Sequence, residues 1–195
     1  VALSRDNTFT NPIFPLGGSQ FILSARFSLP YSLWNGVDYG NLSNLEEYQD
    51  ENGNPDQAKI DQERFKWLEF YKIKFQGTWY TRLIEKLVLR THTEFGFLGA
   101  YNNERGVIPF DRFYLGGDGM SQYAMDGRET ISLRGYPNQS LSSQEGSTIY
   151  NRFSLELRYP ITLKPAASIF GLAFIEAGQG YNNFREFNPF NSKRS

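Results

Sequence analysis

Residues 112–136 read RFYLGGDGMSQYAMDGRETISLRGY. The stretch is too long and too rich in glycine to be a tight turn. It carries a Gly116-Gly117 pair near its start and ends in Leu133-Arg134-Gly135-Tyr136, an aliphatic-Arg-Gly-aromatic tetrad. The segments on either side alternate apolar and polar residues with a period of two, the signature of half-buried strands. A long loop between two such strands, ending in a guanidinium, predicts a loop that folds back into a β-barrel and is anchored there through Arg134.

On the C-terminal side, residues 149–159 set Phe153, Leu155, Leu157 and Tyr159 against Arg152, Ser154, Glu156 and Arg158. After a turn expected at 160–165, residues 167–177 place Ile169, Gly171, Ala173, Ile175 and Ala177 on one face. Leu172, Phe174 and Glu176 take the other. On the N-terminal side, residues 87–97 alternate Leu87, Leu89, Thr91, Thr93, Phe95 and Phe97 with Val88, Arg90, His92, Glu94 and Gly96. Residues 66–80 put Trp67, Tyr71, Ile73, Phe75 and Trp79 opposite Lys72, Lys74, Gln76 and Thr78, with Glu69 interrupting the apolar face. Residues 20–29 set Phe21, Leu23, Ala25, Phe27 and Leu29 against Gln20, Ser24, Arg26 and Ser28. Residues 1–19, with Asn11-Pro12, Pro15 and Gly17-Gly18, read as irregular. Residues 31–65 are acidic and turn-rich and read as a mainly solvated loop with room for a short helix. The connection at 81–86 is short, and the chain from 178 onward reads as loop.

This gives about five strands of roughly ten residues, close to the 9–11 or so that a tilted strand needs to cross the hydrocarbon of a bilayer. Short and long connections alternate, as in outer-membrane barrels. The expected fold is therefore all-β: an antiparallel transmembrane β-barrel. About five strands cannot close a lipid-facing barrel, and a bilayer does not tolerate open edges. The 195 residues are accordingly expected to be part of a larger barrel domain, with a long external loop at 99–148 and an external insertion at 31–65.

Composition agrees. Seventeen Phe and 12 Tyr occur in a chain whose mean hydropathy is only -0.51, which suits strands with one apolar and one wet face. No apolar run approaches the 20 or so residues of a membrane helix. The net charge is -1 with Lys and Arg scattered, so no basic stripe points to nucleic acid. With no Cys, thiolate metal sites, Cys nucleophiles and disulfides are excluded.

Several residues together resemble BamA-type assembly barrels. Residues 109–117, PFDRFYLGG, and the tetrad Leu133-Arg134-Gly135-Tyr136 are similar to the sixth external loop of that family. Ser154-Leu155-Glu156 matches a motif on the strand that follows. Ile175-Glu176-Ala177-Gly178 is similar to the acidic residue and small-residue turn of the next. Phe14-Pro15-Leu16-Gly17-Gly18-Ser19 resembles the periplasmic turn before the ninth strand. The resemblance covers most of the chain and implies strands nine to thirteen or so of sixteen, with the periplasmic POTRA domains and the terminal strands lying outside it. Tyr136 stands where Phe is commoner, and Glu176 where Asp is usual. The long insertion is like that of family members from Bacteroidetes-type bacteria.

The resemblance implies an outer-membrane factor of a bacterial BAM complex, with no covalent chemistry and no cofactor. It would fold and insert barrel proteins through a lateral seam. Implied partners are unfolded outer-membrane proteins, periplasmic lipoproteins, possible surface-exposed subunits and the bilayer. The implied lock is Arg134 paired with Glu156 and Glu176, with Gly135 permitting the turn, Tyr136 packing beside the pair and Gly116 and Gly117 allowing close loop packing. The pairing is physically reasonable. By parity both glutamates face the barrel interior, where a guanidinium needs carboxylates and Arg offers a planar fork. A translocator of the two-partner secretion type in the same superfamily is the first alternative. A porin or surface receptor is the second.

Other chemistry has little support. His92 is the sole His and sits on a polar strand face. Gly116-Gly117-Asp118-Gly119 lacks the Lys-Ser/Thr of a phosphate loop. Asp118, Asp126 and Glu129 do not have the spacing of an EF-hand. No metal site and no enzyme activity are expected.

Overall fold

The computed structural model describes residues 1–8, 14–118, 128–164 and 167–187. Period-two patterning becomes one antiparallel sheet. Its strands are β1 (Ala2–Asp6), β2 (Gly18–Phe27), β3 (Tyr71–Ile84), β4 (Leu87–Gly99), β7 (Ile149–Lys164) and β8 (Ala167–Tyr181), neighbours in that order. Between β4 and β7 the chain makes a small parallel pair, β5 (Phe113–Leu115) and β6 (Glu129–Ile131). The sheet is all-antiparallel and open, with β1 and β8 at its edges, the form of a barrel wall rather than a closed sandwich.

Register preserves the two faces. Phe75 lies opposite Phe95, and Thr93 opposite Phe153, on the apolar side; the Phe95 and Phe153 rings meet edge-on at 5.5 Å. On the other side Gln76 pairs with Glu94, Glu94 with Arg152, and Ser154 with Glu176. A one-residue slip anywhere would move charges to the apolar side, so the patterning itself holds the register.

Several sequence expectations need correction. Residues 2–6 form β1, a sixth strand, although 1–19 reads as irregular. The segment is too short to show a pattern, and its ladder with β2, from Ala2 opposite Ser24 to Asp6 opposite Gln20, makes it a strand. The segment at 160–165 is not a turn as far as it is described: β7 continues through Pro160 to Lys164. A register shift between Pro160 and Thr162 accommodates the missing N–H. Pro165 lies outside the described residues, as do Asn11 and Pro12. The chain does not become loop at 178, because β8 runs on through Gly178 to Tyr181 opposite Ile149. The 66–80 strand begins only at Tyr71, so Trp67 and Glu69 belong to the connection before it. The short connection at 81–86 shrinks to Glu85-Lys86, with Glu85 in the left-handed region at φ 44°.

The insertion at 31–65 is a folded lobe, not mainly a solvated loop. It contains α1 (Gln57–Phe65), whose N-terminus is capped by Asp56: the carboxylate accepts from the Ala58 and Lys59 backbone N–H groups at 3.0 and 3.3 Å. Tyr39, Leu42 and Ile60 form its buried core. Ile60 joins Tyr39 and Leu42 from far along the chain, so the three make no sustained periodic signal. The lobe is pinned by a fully buried ion pair, Arg105 Nη1 to Glu69 at 2.9 Å. Ser32 donates its N–H and its hydroxyl to the same carboxylate, both at 2.7 Å. Arg105 also donates to the Arg64 carbonyl and lies over the Tyr39 ring. Removing one member of a buried pair strands the other charge, at a cost of about 3–5 kcal/mol. Arg105→Met is therefore expected to make residues 31–65 cleavable by limited proteolysis while the sheet stays protected. An unchanged cleavage pattern would show that the pair does not hold the lobe.

Candidate functional site

The polar face of the sheet is covered by the chain between β4 and β7. This segment supplies most of the main buried cluster, including Phe113, Leu115 and Ile131, packed against Tyr150 of β7. The Phe113 and Tyr150 ring centroids lie 4.6 Å apart. Its backbone is tied down by exchange of N–H···O bonds between Phe113 and Ser147, at 2.9 and 2.7 Å.

From β5 and β6 the tetrad is built by a local turn. Gly117 bridges to Leu133, whose N–H reaches the Gly117 carbonyl at 3.0 Å, and the Gly117 N–H reaches the Tyr136 carbonyl at 3.0 Å. Both glycines of the pair have positive φ, 110° at Gly116 and 101° at Gly117. A Cβ on Gly116 would fall 2.4 Å from the Pro137 carbonyl oxygen, and one on Gly117 would fall 1.9 Å from the Asn138 side chain. Glycine is thus required there both for conformation and for space. Gly135 meets no neighbour but turns at φ 86°. Leu133 is fully buried and fixes the level at which Arg134 projects.

Arg134 meets both predicted carboxylates. Its Nη2 lies 2.6 Å from Glu156 Oε1 and 2.6 Å from Glu176 Oε1, and Nε donates to the same Glu176 oxygen at 3.0 Å. The second Glu176 oxygen accepts the Arg134 backbone N–H at 2.8 Å. Glu176 therefore reads the backbone turn as well as the charge. Charge-assisted bonds of this length are among the strongest in proteins.

Tyr136, next in the chain, is exposed, and the ring under the guanidinium is Phe174 of β8, its centroid 3.8 Å from the Arg134 carbon. Phe174 lies opposite Glu156 in the register, so parity alone could have pointed to it.

The sequence also left out the surrounding cations. Arg90 approaches Glu156 at 3.3 Å, Arg158 approaches its other oxygen at 3.3 Å, and Arg152 reaches Glu176 at 3.4 Å. Arg152 lies 3.6 Å from Glu94, which accepts from Gln76 and Tyr150 at 2.7 and 2.8 Å. Their signal was present in the alternation of β4 and β7, which puts every one of these residues on the wet face. His92 shares a 2.8 Å hydrogen bond with Thr78 and is 3.7 Å from Glu94, a member of the same network.

A second tether lies nearer the other end of β3. Glu129, weighed in the sequence only as a calcium ligand, bonds to Lys72 at 2.6 Å and to Lys74. Lys72 also reaches the Asp111 carboxylate at 3.1 Å, and Arg26 meets that carboxylate at 3.1 Å. Asp126 lies outside the described residues. Among the described residues no group of three or more His, Cys, Asp and Glu is placed to hold a metal ion.

The arrangement is a sheet with a long loop clipped to its polar face at two places. Residues 7–195 match the family model of the Omp85 superfamily domain, and the chain belongs to the Omp85 superfamily. Proteins of this superfamily are outer-membrane β-barrels that act broadly in inserting or translocating proteins at that membrane. No curated protein sequence matches the chain.

Burial acts to raise the Glu129 carboxyl, but hydrogen bonds from Lys72 and Lys74 outweigh it and hold the group below its ordinary value. A depressed carboxylate contributes stability above its unfolded pKa and loses it as pH falls through the folded one. Protection of the residue 129–131 amides, taken relative to intrinsic exchange at each pH, is therefore expected to fall on acidification below the normal carboxylate range. Glu129→Gln should exchange faster at neutral pH and lose that pH dependence. An acid response persisting in Glu129→Gln would assign it to another group.

Proposed function

We propose that the chain forms part of the barrel wall of a BamA-type assembly factor, which folds and inserts β-barrel proteins into a bacterial outer membrane. Family membership supports the general activity. The observation that favours the assembly factor is the loop clipped into the polar face by Arg134. A loop filling the interior narrows an aqueous path and stiffens the wall, which suits a scaffold better than a passive pore. In this reading the 99–148 loop and the 31–65 lobe face the cell exterior, and the barrel is completed by strands outside this chain to about sixteen. The seam that templates incoming strands by β-augmentation lies among those other strands. The working partners are unfolded outer-membrane proteins, accessory lipoproteins on the periplasmic side, surface-exposed subunits and the bilayer, with no nucleic acid and no cofactor.

Arg134, Glu156 and Glu176 then act as a lock, with Leu133, Gly135, Gly116 and Gly117 shaping its bolt. Arg134 remains about one-third exposed, and both glutamates keep other arginine partners when it is lost. The cost of Arg134→Ala is accordingly modest, about 1–3 kcal/mol, enough to loosen the loop without unfolding the wall. The variant is expected to lower the temperature at which the folded barrel denatures on a gel and to impair growth when it is the sole copy. Wild-type values for both would remove the lock from the mechanism.

Depletion of the full-length protein, followed by a mass-spectrometric inventory of the outer membrane, tests the function itself. Loss of many unrelated barrels together is the expected result. Loss of one secreted protein alone would identify a two-partner translocator, and loss of one nutrient's uptake a porin or receptor.

A further inference from the structure

We propose that the root of the 31–65 lobe is a membrane-interface foot, which rests on the headgroup and upper acyl region of the bilayer beside β2 and β3. This rests on the barrel reading above. It goes beyond it by assigning a lipid-binding surface outside the strands.

The foot continues the apolar face of the sheet. Phe27 is the last outward residue of β2, opposite Tyr71. The ladder extends one pair further, since the Ser28 N–H reaches the Phe70 carbonyl at 3.0 Å and the Phe70 N–H reaches Ser28 Oγ at 2.6 Å. Leu29 comes next in outward phase and is exposed. The chain then turns through a short 3₁₀ segment, Tyr31–Leu33, that leaves Leu33 and Trp34 bare, at 73% and 67% exposure. The returning chain presents Trp67 and Leu68, and the Trp67 ring packs on Tyr31 at 5.5 Å.

A folding defect does not account for this exposure. The same lobe buries Tyr39, Leu42 and Ile60 almost completely. Scattered exposed apolar residues are ordinary, but a contiguous set containing two Trp marks an interaction surface. Its chemistry selects the partner. Glu69 sits opposite Leu29 in strand phase, where it would place a charge in the patch. It is wholly withdrawn instead, held by Ser32 and Arg105. The turn that exposes Leu33 and Trp34 is therefore the turn that hides the carboxylate. At the border stands Lys66, a long amine of the kind that lies along an interface with its charge in water. Trp and Leu on a surface from which the in-phase carboxylate has been withdrawn, continuous with a lipid-facing wall, fit the interfacial belt of a bilayer.

The stretch has no native Cys, which permits single-site labels. Full-length protein, with any cysteines elsewhere replaced, carries one environment-sensitive fluorophore at Leu33→Cys, Ile175→Cys or Asn52→Cys. Each is reconstituted in phosphatidylcholine vesicles with and without a lipid bearing a nitroxide near the headgroup end of its acyl chain. Retention of the folded, heat-resistant band qualifies each variant. Ile175 is outward-facing and exposed on β8 and reports on the wall; Asn52 is exposed in the turn before α1 and reports on the rest of the lobe. Strong quenching at the Leu33 and Ile175 sites with none at Asn52 is expected. Quenching at Ile175 alone would overturn the foot and leave the barrel reading intact. Quenching at neither would overturn both. Equal quenching at Asn52 and Leu33 would mean that the whole lobe lies on lipid and would overturn a localised foot.

Discussion

Charge on the concealed face of the sheet is the constraint on which the rest depends. Glu94, Glu156 and Glu176 stand on β4, β7 and β8 in a space partly closed off by the chain's own loop. A carboxylate removed from water needs cations and hydrogen bonds nearby or it destabilises the fold by several kcal/mol. Arg90, Arg152 and Arg158 supply part of this from the wall itself. Arg134 supplies the remainder from the loop. The wall is thus complete electrostatically only when the loop is seated, and the loop has a defined seat only because the wall presents Glu156 and Glu176 side by side.

The same logic is used twice more. Glu129 brings β6 to Lys72 and Lys74, and Asp111 joins the same lysine from the other side of β5. Farther out, Glu69 and Arg105 join the 31–65 lobe to the β4–β7 segment. Three carboxylate-centred clips, at successive levels, tie long connections to one sheet. Apolar packing alone would not position such connections, because hydrophobic attraction has no direction. Fork-shaped and tetrahedral donors do, and the Arg134 backbone bond to Glu176 adds a second directional contact at the tip of the loop.

On the outward side the reasoning inverts. Leu155, Leu157, Ile169 and Ile175 remain exposed on this side of β7 and β8, and for an Omp85 barrel this is the surface that meets hydrocarbon. Aromatic rings pack against one another along this side, as Trp79 does against Phe21 at 5.1 Å. The rule that every charge near this face must be hidden extends past the strands to Glu69. The rim of the barrel and the root of the lobe are therefore parts of one surface.

The sequence by itself determined five strands of the main sheet, their two faces and the residues that meet Arg134. Period-two alternation places each side chain on one face or the other whatever the sheet's final shape, so Glu156 and Glu176 could be assigned to the wet face and offered to Arg134. It also marked Gly116 and Gly117 as positions of close loop packing, and the neighbours they meet, Pro137 and Asn138, belong to the loop itself. Only the tertiary structure decided what depended on contacts distant in sequence. β1 is a strand because β2 gives it a ladder, not because Ala2–Asp6 has a pattern. The lobe folds because Tyr39, Leu42 and Ile60 converge from points that show no period, and because Arg105 arrives from beyond β4 to neutralise Glu69. Phe174, rather than the neighbouring Tyr136, lies under the guanidinium because the register of β8 against β7 carries it there. Local pattern assigns a residue to a face; which partner it meets across that face depends on register and on how the loops return, and these are properties of the folded chain.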